Sequence, residues 1–211
     1  YAVAYNNKGH TLQEQGNLDE ALVAYRKALT IKHDYTDAYN NMGITLYKKG
    51  KLAEALEAYK SAITAEPQNA KAYYNMGNIF KDQSEINKAL EAYDKAIAIK
   101  PHYAKAHNNR GNILRERGDM DAAIRSYNKA LAIEHDYADA YNNLGIILLE
   151  KNKLKNAVGA FKRALAIKPD YPDAYCNIAL AFNNQGKLKA ATNAYKKAIS
   201  LKPDYAEAHE N

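Results

Sequence analysis

Residues Asp136–Gly145 read DYADAYNNLG, and the stretch returns through the chain as DYTDAYNNMG (34–43), NAKAYYNMG (69–77), HYAKAHNNRG (102–111) and DYPDAYCNIA (170–179). Successive registers stand 34 residues apart. A fixed period of this size marks an array, in which each unit packs on its neighbours and no unit folds around a core of its own. Counting position 1 at Ala2, Thr36, Ala70, Ala104, Ala138 and Pro172 gives repeats 2–35, 36–69, 70–103, 104–137, 138–171 and 172–205. The start of a seventh follows at 206–211. No insertion separates the units, so 1–211 reads as a single array without a linker.

Glycine has two places in the unit. Gly16, Gly50, Gly118 and Gly186 occupy position 15, between two helical stretches, where a helix stops in a positive-φ residue. Gly9, Gly43, Gly77, Gly111 and Gly145 occupy position 8, with Ala179 in the sixth unit. That place is inside a helix, where glycine costs roughly 1 kcal/mol against alanine. Its recurrence predicts a helix–helix approach too close for a side chain. Alanines at positions 20 and 27, such as Ala55 and Ala62, predict the same. The large residues interlocking with them are Tyr25, Tyr59, Tyr93, Tyr127, Phe161 and Tyr195 at position 24, expected to face position 11 (Leu46 and its equivalents). Pro67, Pro101, Pro169 and Pro203 close four units, and His33 and His135 stand in that place in two others. Each unit therefore carries two helices, for example about 37–49 and 53–65, too short to persist alone in water.

This pattern resembles the tetratricopeptide repeat family, on Tyr39, Gly43, Leu46, Gly50, Ala55, Tyr59, Ala62, Pro67 and their equivalents. The resemblance covers essentially the whole chain. Lys8 and Arg110 depart from it where an apolar residue is usual, and Ser84 and Asn152 replace the turn glycine. It implies an all-α solenoid of stacked antiparallel helix pairs forming a right-handed superhelix. The first helix of each pair lines a concave groove, in which family members commonly bind peptides or protein segments.

Position 6 is Asn in every unit: Asn7, Asn41, Asn75, Asn109, Asn143, Asn177 and finally Asn211. Positions 2, 6, 9 and 13 share one helix face, which by the resemblance is the groove. A row of amides there would exchange hydrogen bonds with the backbone of an extended peptide, each contributing ~0.5–1.5 kcal/mol. The alternative is that these asparagines bond to neighbouring helices and set the stacking, and both roles are compatible. The asparagine row and the DAYNNLG wording also resemble the repeat region of O-linked N-acetylglucosamine transferase and its bacterial relatives. That likeness implies a substrate-recognition module of a larger glycosyltransferase, whose catalytic domain is absent from these residues.

The groove face is most basic and polar in its middle. Units three and four place Lys71 and Lys105 at position 2, Asn78 and Asn112 at position 9, and Lys81 and Arg115 at position 12. Position 2 elsewhere is acidic at Asp37, Asp139 and Asp173. An acidic or backbone-rich segment docking over 70–115 is one account, and a solvated face is the other. The family's clamp for a C-terminal carboxylate needs lysine at position 5 and arginine at position 6, and the chain has neither.

The net charge is +6, with 18 Tyr and no Trp. Basic residues such as Arg26, Lys27, Lys95 and Lys197 are expected to complement the C-terminal dipoles of the second helices. They interleave with acids, so nucleic acid is not expected. No apolar run near 18 residues argues for a membrane span. No phosphate loop and no zinc-type Cys/His spacing appear, so no catalytic residue, cofactor or metal site is expected. The one cysteine, Cys176, is placed on the groove face as an inert thiol, and it fits a reducing, cytoplasmic setting. The chain ends within a unit, so end-to-end self-association through the truncated terminal repeats is a further expectation.

Overall fold

A computed structural model describes residues 1–203. The described residues form twelve helices and no strand. The chain divides into two compact units, Tyr1–Ala106 and His107–Asn211. The first holds α1 (Ala2–Glu14), α2 (Leu18–Ile31), α3 (Thr36–Lys48), α4 (Leu52–Ala65), α5 (Ala70–Asp82), α6 (Ile86–Ile99) and the start of α7 (Ala104–Glu116). The second holds the rest of α7, then α8 (Met120–Ile133), α9 (Ala138–Glu150), α10 (Leu154–Ile167), α11 (Pro172–Asn184) and α12 (Leu188–Leu201). The architecture is an α-solenoid of antiparallel helix pairs. Every odd-numbered helix begins at a residue counted as position 1 of a unit. The expected 37–49 and 53–65 each open one residue earlier, at Thr36 and Leu52, because the cap residues before them already enter the first turn.

The turn inside each pair is one geometry written six times. In the first pair, Gly16 N–H donates to Gln13 and Asn17 N–H to Leu12, the two bonds of a Schellman stop. Gly50, Gly118 and Gly186 repeat it with φ between 71° and 83°. Ser84 and Asn152 adopt the same left-handed conformation, φ 59° and 54°, and make the same bonds. Between pairs, the residue before Pro67 is extended (Glu66, φ −143°, ψ 95°). Lys32 and Glu134 have the same conformation before His33 and His135. Packing of the next pair therefore sets this turn, and proline only stiffens it.

The core alternates small and large side chains. Ala21, Ala55, Ala89, Ala123 and Ala157 are fully buried, as are Tyr25, Tyr93, Tyr127 and Phe161. In the first unit Leu22, Leu46, Ala55, Tyr59, Ala62, Ala72 and Ile79 form one apolar cluster. In the second, Ala157, Phe161, Ile178, Ala179, Ala191 and Tyr195 form another. The close approach expected at position 8 is present. Its partner is the position-24 ring, the large residue expected to interlock with the small ones. A Cβ added at Gly43 would fall 2.5 Å from Tyr59 Cε1, and one at Gly145 would fall 2.5 Å from Phe161 Cε1.

Two expectations are corrected. The basic residues of the even-numbered helices do not lie in their last turns, where dipole complementation is confined. Lys27 and Lys95 instead extend over the rings of Tyr5 and Tyr73, at 5.7 and 5.8 Å. Cys176 is not displayed on an open face. It is buried in the second unit's apolar cluster, because position 5 points into the stack.

Candidate functional site

Position 5 is buried in every repeat but the third, and position 6 beside it is half-buried in every repeat but the first, where Asn7 is exposed, so each Asn-Asn doublet puts one amide inside the stack and one at its edge. The two belong to a single motif. In the first unit Asn41 Nδ2 donates to Oδ1 of Asn6 in the preceding repeat, at 3.0 Å. In the second unit Asn143 donates to Asn108 at 3.1 Å and Asn177 to Asn142 at 3.0 Å. Asn108 also donates to Asn109, at 3.3 Å. Each rung spans 35 residues, one period plus one. An amide has two N–H donors and an acceptor oxygen. The rung consumes one donor, fixes the rotamer, and leaves the oxygen and second N–H of Asn41, Asn143 and Asn177 at the partly exposed face.

The sequence reading missed the inner residues, Asn6, Asn108 and Asn142. The signal was the recurring Asn-Asn doublet, whose first member had been weighed only as a missing lysine. The bond from Asn143 to Asn108 is of the stacking kind named there as the alternative.

The rung fails at the third repeat. Position 5 there is Tyr74, whose ring lies 5.9 Å from Tyr93 and 5.0 Å from Tyr103. One repeat earlier, Asn40 turns its N–H toward Asn69 Oδ1, at 3.3 Å. Asn69 replaces the tyrosine of Tyr35, Tyr103 and Tyr137, and caps α5 by accepting from Ala72 N–H at 2.9 Å. Asn40 Oδ1 is consequently buried without a donor. Asn75, the amide that would reach it by analogy, is half-buried and makes no hydrogen bond among the described residues.

Asn78 and Asn112 do internal work. Each accepts from a buried hydroxyl, Tyr93 and Tyr127 respectively, at 2.8 Å. Burial pushes the Tyr127 hydroxyl well above the ordinary tyrosine value. Phe161, which lacks a hydroxyl, stands in the repeat whose position 9 is Ile146. Arg110 has a similar explanation. It donates to Ser126 at 2.9 Å, and Ser126 replaces an alanine found at that position in every other repeat. Lys71 and Lys105 are exposed, as is Asn7. Asn211 and the seventh unit lie outside the described residues. Among the described residues no cluster of His, Cys, Asp and Glu is arranged to hold a metal, and no helix is long and apolar enough to cross a membrane.

The chain matches the family model of the cilia and flagella-associated protein 70 C-terminal domain over residues 35–209, and that of the TPR repeat over residues 9–50. Neither of these describes a glycosyltransferase. No curated protein matches it. Among solved structures it is similar to Pseudomonas aeruginosa pilF, with 18% identity over 99% of this chain and 95% of that one and a TM-score of 0.89. It is similar to YrrB, described as a TPR protein with an unusual peptide-binding site, with 22% identity, 89% and 96% coverage and a TM-score of 0.70. It is also similar to MamA, with 28% identity, 79% and 97% coverage and a TM-score of 0.69.

Proposed function

The chain belongs to the tetratricopeptide repeat family described by the C-terminal domain of cilia and flagella-associated protein 70, and on that premise we propose that it is a non-catalytic scaffold in which each of the two units binds extended polypeptide on its own position-6 asparagines. The observation that supports this is the rung: Asn41, Asn143 and Asn177 are each held by one hydrogen bond and keep a donor and an acceptor at the surface. An extended peptide offers N–H and C=O groups in alternation. Amides fixed beforehand lose little side-chain entropy on meeting them. Backbone recognition of this kind carries little sequence preference, which suits a scaffold. Asn7, Asn75 and Asn109 belong to the same row, and YrrB is a precedent for peptide binding on a similar fold.

The test is an array of extended peptides probed with the intact protein and with a variant carrying Asn41→Ala, Asn143→Ala and Asn177→Ala. Each lost hydrogen bond weakens binding by ~2–10-fold. Peptides retained equally by both proteins would refute the reading.

A further inference from the structure

The broken rung at the third repeat singles out one amide. Asn41, Asn143 and Asn177 have each committed a donor to the repeat before them. Asn75 has committed none, because Asn40 is drawn to Asn69. A buried acceptor, Asn40 Oδ1, lies unpartnered at the position that receives this amide in other repeats. Asn75 therefore keeps both donors and its acceptor.

The charge around Asn75 differs from that of its equivalents as well. Lys71 lies one turn before it on the same face of α5, exposed and without an ion-pair partner among the described residues. Lys105, one period later, is likewise exposed and has no ion pair among the described residues. The matching position of α3 is Asp37, so the sign of the face reverses between the second and third repeats. The carboxylate on α5, Asp82, is near the helix's opposite end and is engaged by the Tyr47 hydroxyl and by Lys81 at 3.4 Å. The N-terminal dipole of α5 adds to the positive potential at Lys71.

Resting on the peptide-binding reading above, we propose that Asn75 is the position where the first unit reads its ligand, and that the ligand there is an extended acidic segment. Its backbone occupies the Asn75 amide, and its carboxylates pair with Lys71 and Lys105. The selectivity is local, since Asn143 and Asn177 sit on helices whose second residues are Asp139 and Asp173.

The experiment uses the intact protein and three labelled alternating peptides of about twelve residues, Gly/Glu, Gly/Gln and Gly/Lys, followed by fluorescence anisotropy. At low salt the Gly/Glu peptide should bind about tenfold more tightly than Gly/Gln, and added salt should narrow the gap. Lys71→Gln with Lys105→Gln should reduce that preference to within about twofold, with Gly/Gln affinity unchanged. Asn75→Ala should weaken both peptides by ~2–10-fold. Its circular dichroism melt should not fall, since Asn75 has no hydrogen-bond partner among the described residues and alanine is the better helix former. Equal affinity for Gly/Glu and Gly/Gln, or a preference that survives loss of both lysines, overturns the inference. If Gly/Gln binding persists and depends on Asn143 and Asn177, the scaffold reading stands and only the acidic preference fails. If no peptide binds, both fail.

Discussion

Gly43 of α3 lies so close to the ring of Tyr59 on α4 that a Cβ at Gly43 would stand 2.5 Å from Cε1. The ring is 2% exposed and has no room to retreat. Gly43→Ala gains about 1 kcal/mol of helix propensity and incurs an overpacking cost of about 1–3 kcal/mol. The expected result is a net loss of up to ~2 kcal/mol in urea unfolding. The sixth repeat carries the larger residue naturally. Ala179 is fully buried there, and Tyr195 opposite it is 8% exposed, farther out than Tyr59.

Ser84 and Asn152 hold positive φ at the turn where four other repeats use glycine. A left-handed conformation costs an ordinary L-residue roughly 1–2 kcal/mol, and asparagine less. Ser84→Gly should therefore stabilise the protein by ~0.5–1 kcal/mol, and Asn152→Gly by a smaller amount. Equilibrium urea titration checks the sign and the order.

The Asn143–Asn108 rung is expected to stabilise as well as orient. A double-mutant cycle on Asn143→Ala and Asn108→Ala should give a coupling of ~0.5–1.5 kcal/mol. Asn108→Ala alone should also weaken peptide binding, although Asn108 is buried, by releasing the Asn143 rotamer.

Charge pairs give the acid limb of stability its shape. Lys49 donates to Asp19 and Lys151 to Asp121, and each lysine holds its partner's carboxyl below the usual value. The stabilisation is present above the unfolded pKa of ~4 and is lost as pH falls through the lower folded values. Lys49→Met with Lys151→Met should flatten that part of a stability–pH profile, and salt should mimic the change, since both carboxylates are exposed.

At the alkaline end, the Asp82 carboxylate that accepts from Tyr47 pushes this tyrosine up to about 12. Burial does the same to Tyr25 and Tyr103, also to about 12. Their stabilisation is complete below the unfolded value of ~10 and is lost as pH rises through about 12. Absorbance at the tyrosinate band should show exposed tyrosines ionising first and these three only with unfolding. Tyr47→Phe should shift the alkaline unfolding midpoint upward.

The period, the helix pairs and the left-handed stops were legible because each depends on a residue and its immediate neighbours. Gly50 and Gly186 announce a positive φ wherever they are placed. The class of partner for Gly43 was legible too, since large residues at position 24 alternate with the small ones; its distance was not, because the angle at which α3 crosses α4 decides how closely Tyr59 lies over the glycine. The amide rungs were half legible. Position 6 stood out as a poor helix former repeated without exception, whereas Asn6, Asn108 and Asn142 gain meaning only when the next repeat is stacked on them. Asn40 illustrates the limit. It has the same neighbours in sequence as Asn142, yet a single change, Asn69 in place of a tyrosine, redirects its side chain.

The side-chain amide resonances of asparagine provide the most direct measurement of the central claim. Adding the Gly/Gln peptide to the uniformly nitrogen-15-labelled protein should shift the NH2 signals of Asn41, Asn75, Asn143 and Asn177, and leave in place the backbone amides of Tyr73 and Lys95, on the second face where Lys95 extends over the Tyr73 ring. Shifts confined to that second face, with the asparagine signals unmoved, would contradict the account.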